Sequence, residues 1–185
     1  IQSKFVKGQL ENASGTIKGS KLEVDNTRTK EIIKTSVLDA EVKLSQKQDM
    51  INIDKMQLKT DWAGVQASGT MPMTIKSLDS FLGSGADLNG TFNCDIAAVV
   101  SQLPITLGLQ DNAKISSGKI SGEIKTTGAA GQKQIQAQAT LSDLRGIVDG
   151  KPAALSAPIS AEAKLSPDKT GMMAVSAPFI KLNAS

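Results

Sequence analysis

Histidine and tyrosine are absent from this chain, and aromatic side chains are scarce: Trp62 and four phenylalanines, 3% of the residues. Without histidine the chain lacks the commonest general base and the commonest zinc ligand. Its one cysteine, Cys94, excludes an intramolecular disulfide and a cysteine-rich metal site. That thiol is expected to be a small buried apolar group. The 21 basic residues are scattered and form no run. Phosphate binding needs clustered Lys and Arg, and single strands need stacking platforms, so nucleic acid is not an expected partner. No apolar run reaches the roughly 18 residues that a membrane-spanning helix needs. The acids Asp39, Glu41, Asp143 and Asp149 fall on solvated strand faces or in turns. The glycine-rich "GSGADLNG" (83–90) lacks the Lys-Ser/Thr pair of a phosphate loop. The expectation is a protein that is not an enzyme, with no catalytic residues, no cofactor and no metal site.

What the chain has in quantity is period-two alternation. In "SVLDAEVKLS", Leu38, Ala40, Val42 and Leu44 share one face, with Asp39, Glu41 and Lys43 on the other. Met56, Leu58, Thr60 and Trp62 share a face, as do Val65, Ala67, Gly69, Met71 and Met73. Further on come Ile120, Gly122, Ile124 and Thr126, then Ile135, Ala137, Ala139 and Leu141, then Ile159, Ala161, Ala163 and Leu165. Strands with one apolar and one solvated face make antiparallel sheets. Two breaks in phase predict bulges, one near Asp54–Lys55 and one near Gly19–Ser20. "VDGK" (148–151) is an Asp-Gly hairpin signal. "SPDKTG" (166–171) and "TTGAAGQ" (126–132) are expected turns or loops.

Two stretches read as short helices. Asp95 is a good N-cap for "DIAAVVSQLP", where Ile96, Val99, Val100 and Leu103 follow helical spacing and Pro104 ends the run. "TIKSLDSFLG" places Ile75, Leu78, Phe81 and Leu82 on one face and stops at Gly83. Each is too short to be stable undocked, so both are expected to plug or cap the sheet.

The chain also repeats itself. "DAEVKLS" (39–45) returns as "SAEAKLS" (160–166), and each is followed by a turn and a second apolar strand. Superposed, Met56 meets Met173, Leu58 meets Val175, Trp62 meets Phe179 and Val65 meets Leu182. The repeat covers about 36–68 and 157–185 within one β-rich domain, residues 1–185. The opening "IQSKFVKG" reads as mid-strand, so the chain is expected to be a piece of a longer array of such units. The 20 side chains expected to line one apolar groove are Leu38, Ala40, Val42, Leu44, Met56, Leu58, Trp62, Val65, Met71, Met73, Ile120, Ile124, Ile135, Leu141, Ile159 and Leu165, together with Met173, Val175, Phe179 and Leu182.

"WAGVQASGTMPM", then "DLNGTFNCDIAAVVSQLP", "SSGKISGEIKTTG" and "ATLSDLRGIVDGKP" together resemble the AsmA-like, TamB-related family of bacterial envelope proteins. The resemblance implies a mainly β fold, a long antiparallel sheet curled into a half-pipe or β-groove, with one or two short helices plugging or capping it. It implies a non-catalytic envelope protein of the periplasm that binds or conducts phospholipid between membranes. The membrane anchor, in the inner membrane, would lie in segments outside this chain. The alternative is a structural or protein-interaction module, a closed sandwich or plugged groove with no lipid ligand. In either case unpaired strand edges are expected to allow association with other copies.

Overall fold

A computed structural model describes residues 2–6, 9–74, 81, 83–109, 112–128, 133–155, 157–167 and 173–182. The side chains at 5, 6, 9, 10, 167 and 173–182 are outside that description. In chain order the elements are β1 (Gln2–Val6), β2 (Gln9–Asp25), β3 (Ile32–Lys47), β4 (Met50–Thr60), β5 (Ala63–Pro72) and β6 (Asp87–Asp95), then α1 (Ile96–Gln102). β7 (Ala113–Thr127), β8 (Gln134–Val148), β9 (Lys151–Ala154), β10 (Ile159–Pro167) and β11 (Met173–Leu182) follow.

All the strands join one antiparallel sheet, in the order β1-β2-β3-β4-β5-β6-β7-β8-β10-β11. β9 pairs with β8 beside β10: it takes Arg145–Val148, and β10 takes Ile135–Leu141. The sheet does not close, since β1 and β11 do not pair. The mainly β, antiparallel sheet expected from the alternation is therefore found; it is open, as the resemblance implied and a closed sandwich would not be, and it carries a short helix.

The openness has a magnitude. The chain exposes 12393 Å², whereas a compact 19.3 kDa monomer would expose about 8,500 Å². Among the described residues, the buried apolar side chains are Phe81, Ala86 and Val100. Among the described residues, backbone pairing and half-covered side chains hold this sheet together, with few deeply buried groups.

Local sequence explains the joints. At the β8–β9 turn Asp149 and Gly150 both have positive φ (52° and 76°), the conformation that an Asp-Gly hairpin provides. Asp54 is the extra residue of a bulge: Lys43 pairs with Lys55, and Leu44 pairs with Ile53. The second phase break falls at Lys21, φ 53°, one residue beyond the expected Gly19–Ser20. Lys21 and Ser36 both drop out of the ladder, so the register on either side is unchanged. Leu22 Cδ1 lies 2.9 Å from where a β-carbon on Gly19 would stand, so Leu22 shares the face of Gly19 and Ile17. Both strands change phase together there, which pattern alone does not reveal.

α1 begins as expected: the Asp95 carboxylate accepts from Ala98 N–H at 3.0 Å. Of the second expected helix, Ile75, Leu78 and Leu82 lie outside the described residues, and Phe81 is buried. The loops at 129–132 and 168–172 are also outside them.

Candidate apolar face

The register lines up apolar residues in rows across the strands. One row runs Ile17, Ala40, Leu58, Val65, Phe92, Gly122, Ala139, Ala161, Ile180. The next runs Gly15, Val42, Met56, Ala67, Gly90, Ile124, Ala137, Ala163. Larger aliphatics flank both. Ile120, Leu141, Ile159 and Leu182 stand on one side, and Leu44, Ile53, Ile135, Leu165 and Val175 on the other. Glycine shapes one crossing: a β-carbon at Gly122 would stand 2.6 Å from Phe92 Cζ, so its absence lets the Phe92 ring lie over β7.

This face is uncovered at its centre. Ile17, Met56, Leu58, Val65 and Ile124 are exposed by 38–59%, and the register makes them near neighbours. Contiguous apolar surface of this kind on one face is unusual. It is a stripe rather than a cavity. The shallow clefts of the central strands are on the polar face, where one of about 250 Å³ is lined by Gln57, Gln66, Thr91 and Glu123 among others. Sequence reasoning treated that face as plain solvated surface.

The two long sides of the stripe, at opposite ends of the strands, are occupied. At one end α1 packs against β7 and also meets β3 and β6. Gln102 Oε1 accepts from Lys34 N–H. Beyond the helix, Ile105 and Thr106 N–H donate to Glu31 Oε1 at 2.7 and 3.1 Å. The hydroxyls of Thr106 and Thr29 donate to Glu31 Oε2. Glu31 is 6% exposed. Burial alone would raise its pKa, but these hydrogen bonds outweigh burial and hold the carboxyl at about 2.

At the other end Phe81 and Ala86 pack with Met71, Leu88 and Ile135. Thr126 is buried among them with its hydroxyl satisfied: it accepts from Leu88 N–H at 2.8 Å. Phe81 is helical and Ala86 lies in the loop before β6, both as expected; that the two pack together into a plug was not legible.

The polar face carries ion pairs. Lys55 and Lys43 Nζ lie 2.6 and 2.9 Å from the Glu41 carboxylate, and hydrogen bonds from these two hold its pKa at about 2. Glu162, hydrogen-bonded by Lys164 and Gln136, is shifted down as well.

Most of the expected lining residues lie on the common face by register. Three do not fit that description. Trp62 sits in the turn between β4 and β5, half-buried at the rim, with its indole N–H on Lys34 C=O at 3.1 Å. Met73 lies past the end of β5 and is 53% exposed. Phe179 pairs with Glu162, a polar-face position. Between Glu162 and Lys164, β10 supplies one residue where β11 supplies two, and that bulge moves Ile180, not Phe179, into the apolar row. The superposition of Phe179 on Trp62 therefore does not carry over: one is inside a strand, the other in a corner. Leu88, Phe92 and Cys94 of β6 join the face by register, and sequence reasoning missed them although "DLNGTFNCD" alternates. Cys94 is half-exposed rather than buried, and partial burial followed by the Asp95 charge pushes its thiol pKa up. No protein-family profile, curated protein or solved structure matches the chain.

Proposed function

We propose that the apolar face is a phospholipid-binding or phospholipid-conducting groove of a non-catalytic bacterial envelope protein, working in the periplasm and anchored in the inner membrane by segments outside this chain. The observation that carries the reading is the exposed central stripe of Ile17, Met56, Leu58, Val65 and Ile124, which continues from strand to strand without a charged residue in its two rows. An acyl chain laid along it would gain roughly 0.8 kcal/mol per methylene removed from water. The stripe crosses the strands, so it lengthens with each strand added, as a lipid path must. The resemblance of the strand and helix motifs to AsmA-like proteins supports the envelope setting.

A second reading has its own observation. Both long sides of the stripe are filled in by the chain's own residues, α1 on one and Phe81 on the other, which suits a spacer or interaction module without lipid. Native mass spectrometry after incubation with phosphatidylethanolamine/phosphatidylglycerol vesicles separates the two. The lipid reading expects bound phospholipid in the parent chain. It expects loss of most of that lipid, with unchanged circular dichroism, in Leu58→Lys/Val65→Lys. A chain that stays lipid-free favours the module.

A further inference from the structure

We propose that the loop between α1 and β7, residues 103–109, dips into the surface of a phospholipid bilayer, with Arg28 and Lys30 of the β2–β3 turn meeting anionic head groups beside it. This docking is independent of lipid in the stripe, which it neither needs nor implies.

From Ile96 to Gln110, "IAAVVSQLPITLGLQ", the chain carries no charged residue. α1 takes the first part of this run and packs it on the sheet. The loop that follows does the opposite. Ile105 and Leu107 are exposed by 64 and 49%, and Ile105 is the most exposed large hydrophobic side chain among the described residues. Pro104, Thr106 and Gly108 are exposed with them, so the outer surface of the loop is uncharged and largely apolar.

Its backbone donors are all taken. Leu103 N–H donates to Val99 C=O, Leu107 N–H to Leu103 C=O, Gly108 N–H to Ile105 C=O and Leu109 N–H to Pro104 C=O. The N–H groups of Ile105 and Thr106 donate to Glu31, as does the Thr106 hydroxyl. Pro104 has no N–H to satisfy. Each unpaired backbone donor that leaves water costs free energy, and this loop has none to lose. A protein strand added here would need open donors to pair with. A lipid surface needs none, so the same fact favours lipid over a peptide partner.

The cations come from a distant part of the sequence. The hydroxyls of Thr29 and Thr106 both donate to Glu31 Oε2, so the 26–31 turn lies against the loop. Arg28 and Lys30 are exposed on that turn, and neither forms an ion pair among the described residues. Asp25, at the foot of the turn, is the exposed acid beside them, while Glu31 is buried. Basic side chains next to a bilayer are drawn to its anionic lipids. An apolar tip with cations behind it is the arrangement of an element that lies in the membrane interface.

The test is co-sedimentation of the 185-residue chain with phosphatidylcholine vesicles, with and without phosphatidylglycerol. The parent is expected to bind, and more tightly when phosphatidylglycerol is present. Ile105→Ser/Leu107→Ser, with unchanged circular dichroism, is expected to weaken binding on the order of a hundredfold, about tenfold for each side chain kept in water. Arg28→Gln/Lys30→Gln is expected to weaken it about tenfold, and only on the vesicles with phosphatidylglycerol. Leu58→Lys/Val65→Lys, which alters the stripe and not the loop, should bind vesicles at least as well as the parent. As a check on depth, Ile105→Trp on a Trp62→Phe background should shift its fluorescence to the blue on vesicles and be quenched by brominated acyl chains. A parent that sediments with neither vesicle, an Ile105→Ser/Leu107→Ser variant that sediments like the parent, a reporter variant that is not quenched, or binding lost instead in Leu58→Lys/Val65→Lys would each overturn the proposal. So would self-association in the absence of lipid, by analytical ultracentrifugation, that Ile105→Ser/Leu107→Ser abolishes, since the loop would then seat a second copy.

Discussion

The two sides of the apolar stripe, at opposite ends of the strands, are closed by opposite chemistry. At the α1 end a carboxylate, Glu31, gathers four hydrogen bonds from residues on both sides of it in sequence, and the helix is tied to β3 through Gln102. At the Phe81 end the closure is apolar, a ring and a methyl group packed on Met71, Leu88 and Ile135. A hydrogen-bonded clasp is directional and responds to protonation. An apolar plug has no such trigger and gains its strength from area.

The comparison is easiest to break at the apolar end. Phe81→Ala removes the largest buried group in the described residues and should cost about 3 kcal/mol of global stability, the low end for such a truncation because the cluster is small. Urea unfolding followed by circular dichroism measures it, and α1 should hold its place until the whole sheet melts. Acid should do the reverse. Glu31 has a folded pKa of about 2 against an ordinary 4.5, so its contribution is complete above pH 4.5 and fades as pH falls toward 2. Trp62, hydrogen-bonded to Lys34 at that end, is the single tryptophan, and its fluorescence should change over this window while Leu88 N–H exchange at the other end holds. Glu41 also titrates low but on the polar face, whereas Asp61, beside Trp62 and hydrogen-bonded by Thr35 and Ser36, is shifted down too, so Glu31→Gln should reduce the Trp62 transition and Glu31→Gln/Asp61→Asn should remove it. The smallest effect belongs to the cap. Asp95→Ala should cost about 1 kcal/mol and speed amide exchange in Ile96–Gln102, with no response around Phe81.

The strand faces were legible because alternation is a local code. Leu38 to Leu44, Ile120 to Ile124 and Ile159 to Leu165 each declare a face within a few residues, and the Asp54 bulge announces itself by a change of parity. The clasp was not legible, because Glu31 and Thr106 are 75 residues apart and nothing in "TKEII" or "PITL" hints at the other. Phe179 was misplaced because a bulge inside β11 changes parity where the apolar pattern still looks continuous. The openness of the stripe was equally hidden: alternation tells which residues share a face, and not whether anything covers it.

The order of the sheet carries one more consequence. From β1 to β8 every strand pairs with its predecessor in the chain, so each new strand closes a short loop and finds its template already laid down. Ordering entropy is met in small steps, and contacts stay close in sequence, the condition under which β proteins fold fastest. Such a sheet assembles and comes apart in the manner of a zip, from whichever hairpin forms first, with neighbours stabilising neighbours and no single event committing the whole chain.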